Sequence, residues 1–420
     1  MTLGGIGGSG MDCDVVIVGG GIGGCALAVR LATAGLEVTV LEREPVYRDM
    51  VRGEALMPWG YLEAVELGVA DTLLAADGMS VITRMVPYDE ASSVETAQRL
   101  SSDLSSVVPG SPGVIGVGHP ELREALAAAA TEAGAVLIRG VHRTAIEVGP
   151  EPLVTYEMDG ENHSLRCRLV VGADGKTSTT RAALGVTLFA THARVKLSGM
   201  LVDDGGVWDR SVTTIAIDGR NQFIVIPRQD NRLRLYVGRR TSDPTPIKGR
   251  TAIPEFLESY RTPIFPDPQT LAESTPIGPC ATFPMNDAWT SETVVPGAVL
   301  IGDAAGWSNP VTAQGLSVTL RDARVLAEAL LDHNEWTPQT LAGYAEERQR
   351  RMARLRFASA LSDLLAGFGS PDRAARRSRM RSALRENPEL GAALGVVHSG
   401  PWNAPSDAFS ADILTTLALA

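Results

Sequence analysis

Short apolar runs rich in β-branched residues alternate with helical patterns at the start of the chain. Four β-formers occupy 15–18, small residues follow over 25–34, and a second apolar run covers 37–41. Apolar runs of this length bounded by turn residues are typical of buried strands. The pattern predicts a strand, a turn, a helix and a second strand. Apolar residues at helical spacing over 56–65 predict a further helix.

Two later stretches change to a β pattern. Short β-prone pieces at 80–86 and 113–117 surround a serine-rich segment, which predicts strands and loops. A longer β-rich stretch has one helical insertion at 253–260. Its predicted strands cover 197–202, 212–217, 222–226 and 233–237. Alternating bulky residues suit a sheet with one face packed and the other facing a ligand cavity.

The remaining segments return to alternating strands and helices. A helix is predicted from 120, strands at 135–139, 142–148, 153–157 and 165–172, and a further strand at 297–301 before a helix over 316–330. A long amphipathic helix over 338–366 and one or two short helices complete the chain. The fold class is therefore α/β, with two domains. We expect a flexible lead at 1–12, a discontinuous first domain with a parallel sheet at 13–78, 119–187 and 283–370, a substrate-binding sheet domain at 79–118 and 188–282, and a helical tail at 371–420.

Composition excludes several classes of protein. The 420 residues are 44% hydrophobic and 21% charged, and no apolar run reaches the roughly 20 residues of a membrane span. Without a recognisable signal peptide, we expect a cytoplasmic protein. The four cysteines form no Cys-x-x-Cys pair, so we expect neither a metal site nor disulfides. A net charge of −11 disfavours nucleic-acid binding, and the Arg-rich stretches 348–356 and 373–385 have the pattern of a solvated helix face.

The first strand runs directly into a glycine-rich turn. Gly19, Gly21 and Gly24 form Gly-x-Gly-x-x-Gly, and the second strand is followed by Glu42. This order is that of a Rossmann-like dinucleotide site, in which the second glycine allows close approach of a pyrophosphate and the acid binds ribose hydroxyls. An acid at this position disfavours a 2′-phosphate. The tightly bound ligand is therefore predicted to be FAD or NAD.

Two more strands end in turns that carry an aspartate. Asp174 follows the strand predicted to end at 172 and precedes a helix with a serine at its N-cap. An ordinary capped turn also explains this pattern. Asp303 follows Gly302 and precedes the helix that starts near Gly315. The free N–H groups of that helix terminus suit an anionic ring edge.

Taken together, the three motifs resemble those of the FAD-dependent class A monooxygenases, the para-hydroxybenzoate hydroxylase type, from about 14 to 366. The resemblance implies that Glu42 holds the adenosine ribose, that Asp303 binds the ribityl or pyrophosphate part, and that Arg52 follows a mobile flavin ring. It favours FAD as the cofactor, with NADH or NADPH as a transient co-substrate. The residues expected to bind FAD are Gly19, Gly21, Ile22, Gly23, Gly24, Glu42, Arg43, Arg52, Arg123, Asp174, Gly302, Asp303, Pro310, Gly315 and Leu316.

Four positions depart from the family's usual residues. The family often has His at the position of Gly306, Gly at that of Ala313 and Asn at that of Ser317. An Arg common at the position of His119 is absent, and Arg123, one turn later, is the candidate substitute.

The resemblance implies a reaction in which a flavin C4a-hydroperoxide hydroxylates a small aromatic or polycyclic substrate, with O2 and NAD(P)H consumed. The residues do not identify a catalytic base, and Arg228 fits either the cavity or a surface salt bridge. Three alternatives stay open: a reductase of prenyl-type substrates, a halogenase-like enzyme, or a non-catalytic FAD-binding module. The first two classes carry tryptophan-containing motifs near 222–227, where this chain has none.

Overall fold

The structure is a computed structural model that describes residues 11–49, 51, 53–243, 247–367 and 372–419. Its centre is a six-stranded sheet in which all neighbours are parallel except the first pair. The strands, in spatial order, are Val294–Val295, Ala298–Leu300, Leu169–Gly172, Val15–Val18, Val38–Glu42 and Val136–Arg139. The three strands that end in the motif turns are adjacent, so their turns lie along one edge of the sheet.

Both faces of this sheet are covered. Helices Ile22–Thr33, His119–Glu132 and Gly315–Asp332 share one hydrophobic cluster with Val15 and Ile17. The alternate residues Val16 and Val18 pack instead against a three-stranded antiparallel sheet. That sheet consists of His142–Glu147, Leu153–Met158 and Glu161–Arg166. Burial on both faces explains the continuous apolar runs of the parallel strands.

A second, eight-stranded sheet is mostly antiparallel. Its strands, in spatial order, are Thr275–Pro276, Val195–Asp203, Arg232–Arg240, Asn221–Pro227, Val212–Asp218, Arg84–Val86 and Ser102–Asp103, with Ala281–Met285 also paired to Val195–Asp203. Alternation separates its two faces. Val202, Phe223 and Leu235 pack on an aromatic core that includes Tyr260 and Phe265. The opposite face carries Leu197, Ile224 and Tyr236.

The other elements are short strands and peripheral helices. Ala55–Leu56, Val114–Gly116 and Ser80–Ile82 form a small sheet, and Leu188–Ala190 pairs with Ala288–Thr290. The further α-helices are Pro58–Leu67, Ala70–Ala75, Val94–Arg99, Thr179–Ala183, Ile253–Glu258, Pro268–Ala272, Ala342–Ala366, Arg373–Glu386, Ala392–Ser399 and Ala411–Leu419. Single 3-10 turns occur at Arg250–Ala252, Gly302–Ala305, Pro310–Thr312, Pro388–Gly391 and Ser406–Phe409. In the described part of the chain, no helix combines the length and apolarity that crossing a bilayer requires.

The architecture confirms the predicted α/β class, with a Rossmann-like unit, an inserted sheet and C-terminal helices. The division into domains stays a prediction. The serine-rich segment, predicted as strands and loops, also contains the helix Val94–Arg99, because the Ser93 hydroxyl caps it by accepting a bond from the Thr96 amide at 3.2 Å. The strand predicted over 165–172 is two strands in different sheets, interrupted at Cys167 and Arg168.

The interpretation of the Arg-rich stretches as a solvated face is wrong for three of their arginines. Arg348, Arg351 and Arg377 are buried, each paired with carboxylates. A residue count cannot distinguish such positions, because a charged side chain on a helix is buried only when a partner on another element compensates it.

Gly24 is where the first helix comes closest to the first turn. A Cβ on Gly24 would lie 2.0 Å from the carbonyl oxygen of Gly19. We expect Gly24→Ala to lower the free energy of unfolding by about 3 kcal/mol, since the helix must move away from the strand. Urea denaturation of the purified protein measures this. Gly343→Ala is the matched control because Gly343 is exposed and a Cβ there meets no atom within 4 Å. It should be neutral or stabilising by about 1 kcal/mol, and equal stability of the two variants would contradict the assigned packing role.

Candidate active site

One cavity of about 1580 Å³ extends from the turn edge of the parallel sheet to the Tyr236 face of the large sheet. Arg52 lies outside the described residues, and Gly24 is absent from the lining because it packs on Gly19. The other residues expected to bind FAD all line it: Gly19, Gly21, Ile22, Gly23, Glu42, Arg43, Arg123, Asp174, Gly302, Asp303, Pro310, Gly315 and Leu316. The fold therefore brings the three motifs to one continuous space, while their individual roles stay predictions.

The first turn fits a pyrophosphate. Gly19 has φ +113°, and its amide donates to the Leu41 carbonyl at 2.8 Å, which ties the turn to the second strand. A Cβ on Gly21 would meet no atom within 4 Å, so this backbone faces open cavity at the start of helix Ile22–Thr33. A helix N-terminus with unpaired N–H groups and room for close approach is suited to phosphate oxygens.

Glu42 is held in the cavity by a small polar cluster. Its Oε1 accepts a bond from the Glu44 amide at 2.7 Å, and its Oε2 lies 3.4 Å from Arg123 Nη2. The Arg123 guanidinium stacks 3.7 Å from the centre of the Tyr47 ring, and the Tyr47 hydroxyl donates to Gly20 at 2.6 Å. A carboxylate has about four acceptor sites, so Glu42 retains capacity for ribose hydroxyls. Sequence reasoning missed Tyr47, for which spacing gives no signal.

Asp174 lines the cavity and also caps a helix. Its Oδ2 accepts bonds from the Thr180 amide at 2.9 Å and from the Thr179 hydroxyl at 3.1 Å. The capped-turn interpretation is therefore compatible with the site interpretation, because one carboxylate serves the turn while facing the cavity. Arg181, on the capped helix, donates to the Ala304 carbonyl at 2.9 Å and thereby links the second motif turn to the third.

A buried ion pair lies beneath the turn that carries Asp303. Asp322, fully buried, accepts bonds from the Gly302 amide at 2.7 Å, Arg348 Nε at 2.9 Å and Arg351 Nη2 at 2.7 Å. Arg348 in turn donates to the carbonyls of Gly302, Ala305 and Gly306 at 2.8 to 3.0 Å. We call Asp322, Arg348 and Arg351 the turn clamp. They fix the backbone of 302–306, although none was identified as a site residue from the sequence.

The segment after this turn leads into the helix terminus near Gly315. Asn309 accepts a bond from the Val311 amide at 3.1 Å and starts the turn Pro310–Thr312. Ala313 has φ +51°, a left-handed conformation that costs a non-glycine residue roughly 1 kcal/mol, which explains the family's frequent Gly at this position. A Cβ on Gly315 would meet no atom within 4 Å. The first-turn N–H groups of helix Gly315–Asp332 thus begin at the cavity.

The far part of the cavity is mainly apolar. It is lined by Leu197, Leu201, Ile215, Ile224, Ile226, Tyr236 and Phe283 from the large sheet. Burial raises the pKa of Tyr236 well above its usual value, with a further contribution from Glu54. The phenol is therefore neutral at physiological pH.

A buried ionic cluster lies beside this apolar wall. Glu54 Oε2 is 3.1 Å from Arg228 Nη1, and its Oε1 is 3.1 Å from Arg234 Nη2, which also binds Asp49 at 2.8 Å. Burial raises the pKa of Glu54, against the attraction of the two arginines. Arg228 is thus neither at the surface nor unpaired, and the surface interpretation of it is wrong. Arg234 was missed because an arginine inside an apolar strand pattern carries no signal about its partner.

Comparison with known proteins agrees with this geometry. A family model described as FAD binding domain matches residues 12–358. Squalene monooxygenase of Mus musculus is 26% identical over 331 residues, which are 76% of this chain and 55% of that protein. Ubiquinone hydroxylase UbiL of Rhodospirillum rubrum is 28% identical over 412 residues, 92% of this chain and 91% of that protein. The chain thus spans about half the length of the mouse relative.

Among solved structures, p-nitrophenol 4-monooxygenase PnpA from Pseudomonas putida DLL-E4 superposes with a TM-score of 0.75 at 17% identity. The match covers 96% of this chain and 98% of that one. At this identity the likeness shows the fold alone.

The turn clamp generates a prediction. Arg348→Met removes one of the two arginines paired with buried Asp322 and leaves the three turn carbonyls that Arg348 binds without their donor. We therefore expect a loss of about 3 to 5 kcal/mol in the free energy of unfolding and a purified protein with little FAD. Arg350→Met, which removes an exposed arginine 3.7 Å from Glu346 on the same helix, should change neither property measurably. Denaturation and flavin absorbance per polypeptide measure both. Full flavin content in Arg348→Met would contradict the role of the clamp.

Proposed function

The chain belongs to the family described as FAD binding domain, and from this premise we propose that it is an FAD-dependent monooxygenase that uses NAD(P)H and O2 to oxygenate an apolar organic substrate. The observation that carries the proposal is the single cavity that joins three nucleotide-type turns to an apolar sheet face. A binding module that only stores FAD has no need for such a chamber.

The chain's residues divide the work between holding the cofactor and enclosing the substrate. Glu42 would bind the ribose, the backbone at Gly21 the pyrophosphate, and Asp303 the ribityl chain. The chemistry that FAD supplies when bound is two-electron reduction by NAD(P)H followed by reaction with O2. The N–H groups of Gly315 and Leu316 would stabilise negative charge on the pyrimidine edge of the ring. The apolar walls would exclude water from the reacting centre.

The substrate we propose first is an aromatic or polycyclic compound, as the family resemblance suggests. The UbiL relative, named as a ubiquinone hydroxylase, supports an electron-rich ring. A second candidate is epoxidation of an isoprenoid alkene, which the aliphatic walls and the squalene monooxygenase relative favour. A cytoplasmic location, NADH or NADPH as the reductant and the domain division stay predictions.

The glycine turn provides a test of FAD binding that is separate from folding. Gly21→Val would add a Cβ that meets no protein atom within 4 Å, and two methyl groups beyond it, on the side of the turn that faces the cavity. We expect the variant to fold like the wild type but to bind FAD at least 100-fold more weakly, because the side chain occupies the pyrophosphate position. Asp303→Ala should also lose flavin. Thermal unfolding and FAD titration of the apoprotein measure the two effects. Full flavin content in both variants would contradict the assignment of Gly21 and Asp303 to the FAD site.

The reaction itself is tested by substrate-stimulated NAD(P)H oxidation. Phenols, quinones and isoprenoid alkenes are added singly to the FAD-loaded protein, with O2 uptake and product mass measured. A monooxygenase consumes NAD(P)H and O2 faster with the correct compound and yields a product heavier by one oxygen. A reductase instead oxidises its donor without O2 and saturates a double bond. A halogenase requires halide, and a storage module shows no stimulation with any compound. Each of these three results would refute the proposed reaction.

A further inference from the structure

Part of the cavity wall comes from beyond the segment that matches the family. The family match ends at 358, yet Ser362, Leu394, Val397 and His398 line the same cavity as Asp303 and Tyr236. Three of them belong to helix Ala392–Ser399. The segment predicted from the sequence only as a helical tail thus contributes to the wall of the cavity.

The tail is anchored to the rest of the protein before and after helix Ala392–Ser399. Arg377 binds Asp89 at 2.8 Å and Glu90 at 2.7 Å, which anchors helix Arg373–Glu386 to the segment after strand Arg84–Val86. Arg354 donates to the Pro401 carbonyl at 2.8 Å. These contacts fix the helix that carries His398 between the two anchors.

Helix Ala392–Ser399 is also bound to the terminus near Gly315. Gln314 Nε2 donates to the Val397 carbonyl at 3.0 Å, while Gln314 Oε1 accepts from Trp59 Nε1 at 3.0 Å. Trp59 packs edge-on against Trp402, with 5.5 Å between ring centres. His398 therefore stands one residue from a carbonyl that is hydrogen-bonded to the start of the helix expected to face the flavin ring.

We propose that His398 is a specificity-determining residue that hydrogen-bonds a neutral oxygen, a hydroxyl or a carbonyl, on an otherwise apolar substrate. The inference rests on the proposed function, since it takes the apolar chamber as the place where substrate binds. His398 would favour aromatic or polycyclic substrates that carry an oxygen over hydrocarbons of the same shape.

The chemistry of the position carries the inference. Within the described ranges, no group is found to hydrogen-bond the His398 ring, which faces the cavity. Burial lowers the pKa of His398 to about 4, so the ring is neutral at physiological pH. A neutral imidazole has one donor and one acceptor, and these match a hydroxyl or carbonyl. In the buried ionic cluster beside the apolar wall, Arg228 and Arg234 are already paired with Glu54.

A pair of ligands with similar shape tests this without turnover. 2-Naphthol and 2-methylnaphthalene differ mainly in the hydroxyl, and their affinities for the FAD-loaded protein are measured by calorimetry. We expect the wild type to prefer the naphthol by about tenfold, since a hydrogen bond to an otherwise unpaired group contributes roughly 1.4 kcal/mol. His398→Leu should reduce the preference to about one. His398→Gln, which retains a donor and an acceptor, should recover part of it.

The control is His333→Leu, which changes an exposed histidine outside the cavity lining and should leave the preference intact. An unchanged preference in His398→Leu would overturn the proposal, and so would failure of the wild type to bind either ligand. Flavin content, measured on the same samples, separates these results from failure of the proposed function: a wild type that binds no FAD refutes the latter. Should His398→Leu unfold, His398→Phe replaces it, because a phenyl ring fills a similar space but has neither a donor nor an acceptor. An unchanged preference for the naphthol in folded His398→Phe would equally overturn the proposal.

Discussion

The structure depends on one buried ion pair. Asp322 and Arg348 come from two helices and meet beneath the turn 302–306, where the carboxylate accepts from the Gly302 amide and the guanidinium donates to three carbonyls of the turn. A buried pair of this kind contributes little net stability compared with apolar residues of similar size. Its effect is geometric: the backbone of the turn has one arrangement in which every one of these bonds is made.

Other close contacts connect the remaining turns. Arg181 joins the Asp174 turn to the Asp303 turn through the Ala304 carbonyl, and Gly24 allows the first helix to contact the Gly19 turn. Because parallel strands end at a common edge, these local bonds are sufficient to place three turns around one cavity. These bonds position the backbone at this edge of the sheet, and the proposed role of side chains such as Glu42, which line the cavity there, is to add specificity.

Short sequence patterns were sufficient to predict the motif turns at the edge of the parallel sheet. Gly19, Gly21 and Glu42 lie at the ends of two adjacent strands. Because the strand–turn–helix–strand order determines where these ends meet, the spacing of the three residues in the sequence predicts their positions in the fold. Arg348, Arg181 and Tyr47 could not be found in this way, because each binds a partner that is distant along the chain and has no local signature. The separation is 26 residues from Arg348 to Asp322, 27 from Tyr47 to Gly20 and 123 from Arg181 to Ala304. The tail was unpredictable for a different reason. Helical periodicity gives an apolar face but does not say which cavity that face closes, as His398 illustrates.

The distribution of charged side chains in the cavity determines which substrate groups it can bind. Arg228 and Arg234 face Glu54 and Asp49, so positive and negative groups compensate within the cluster. Burial keeps the Tyr236 phenol and the His398 imidazole neutral, because in a low-dielectric site the charged form loses its hydration. The helix terminus near Gly315 adds a positive field that is directed at the expected flavin edge. In the proposed reaction, backbone N–H groups would stabilise charge on the ring while neutral hydrogen bonds would select the substrate, so that selection would add no charge to the field at the ring.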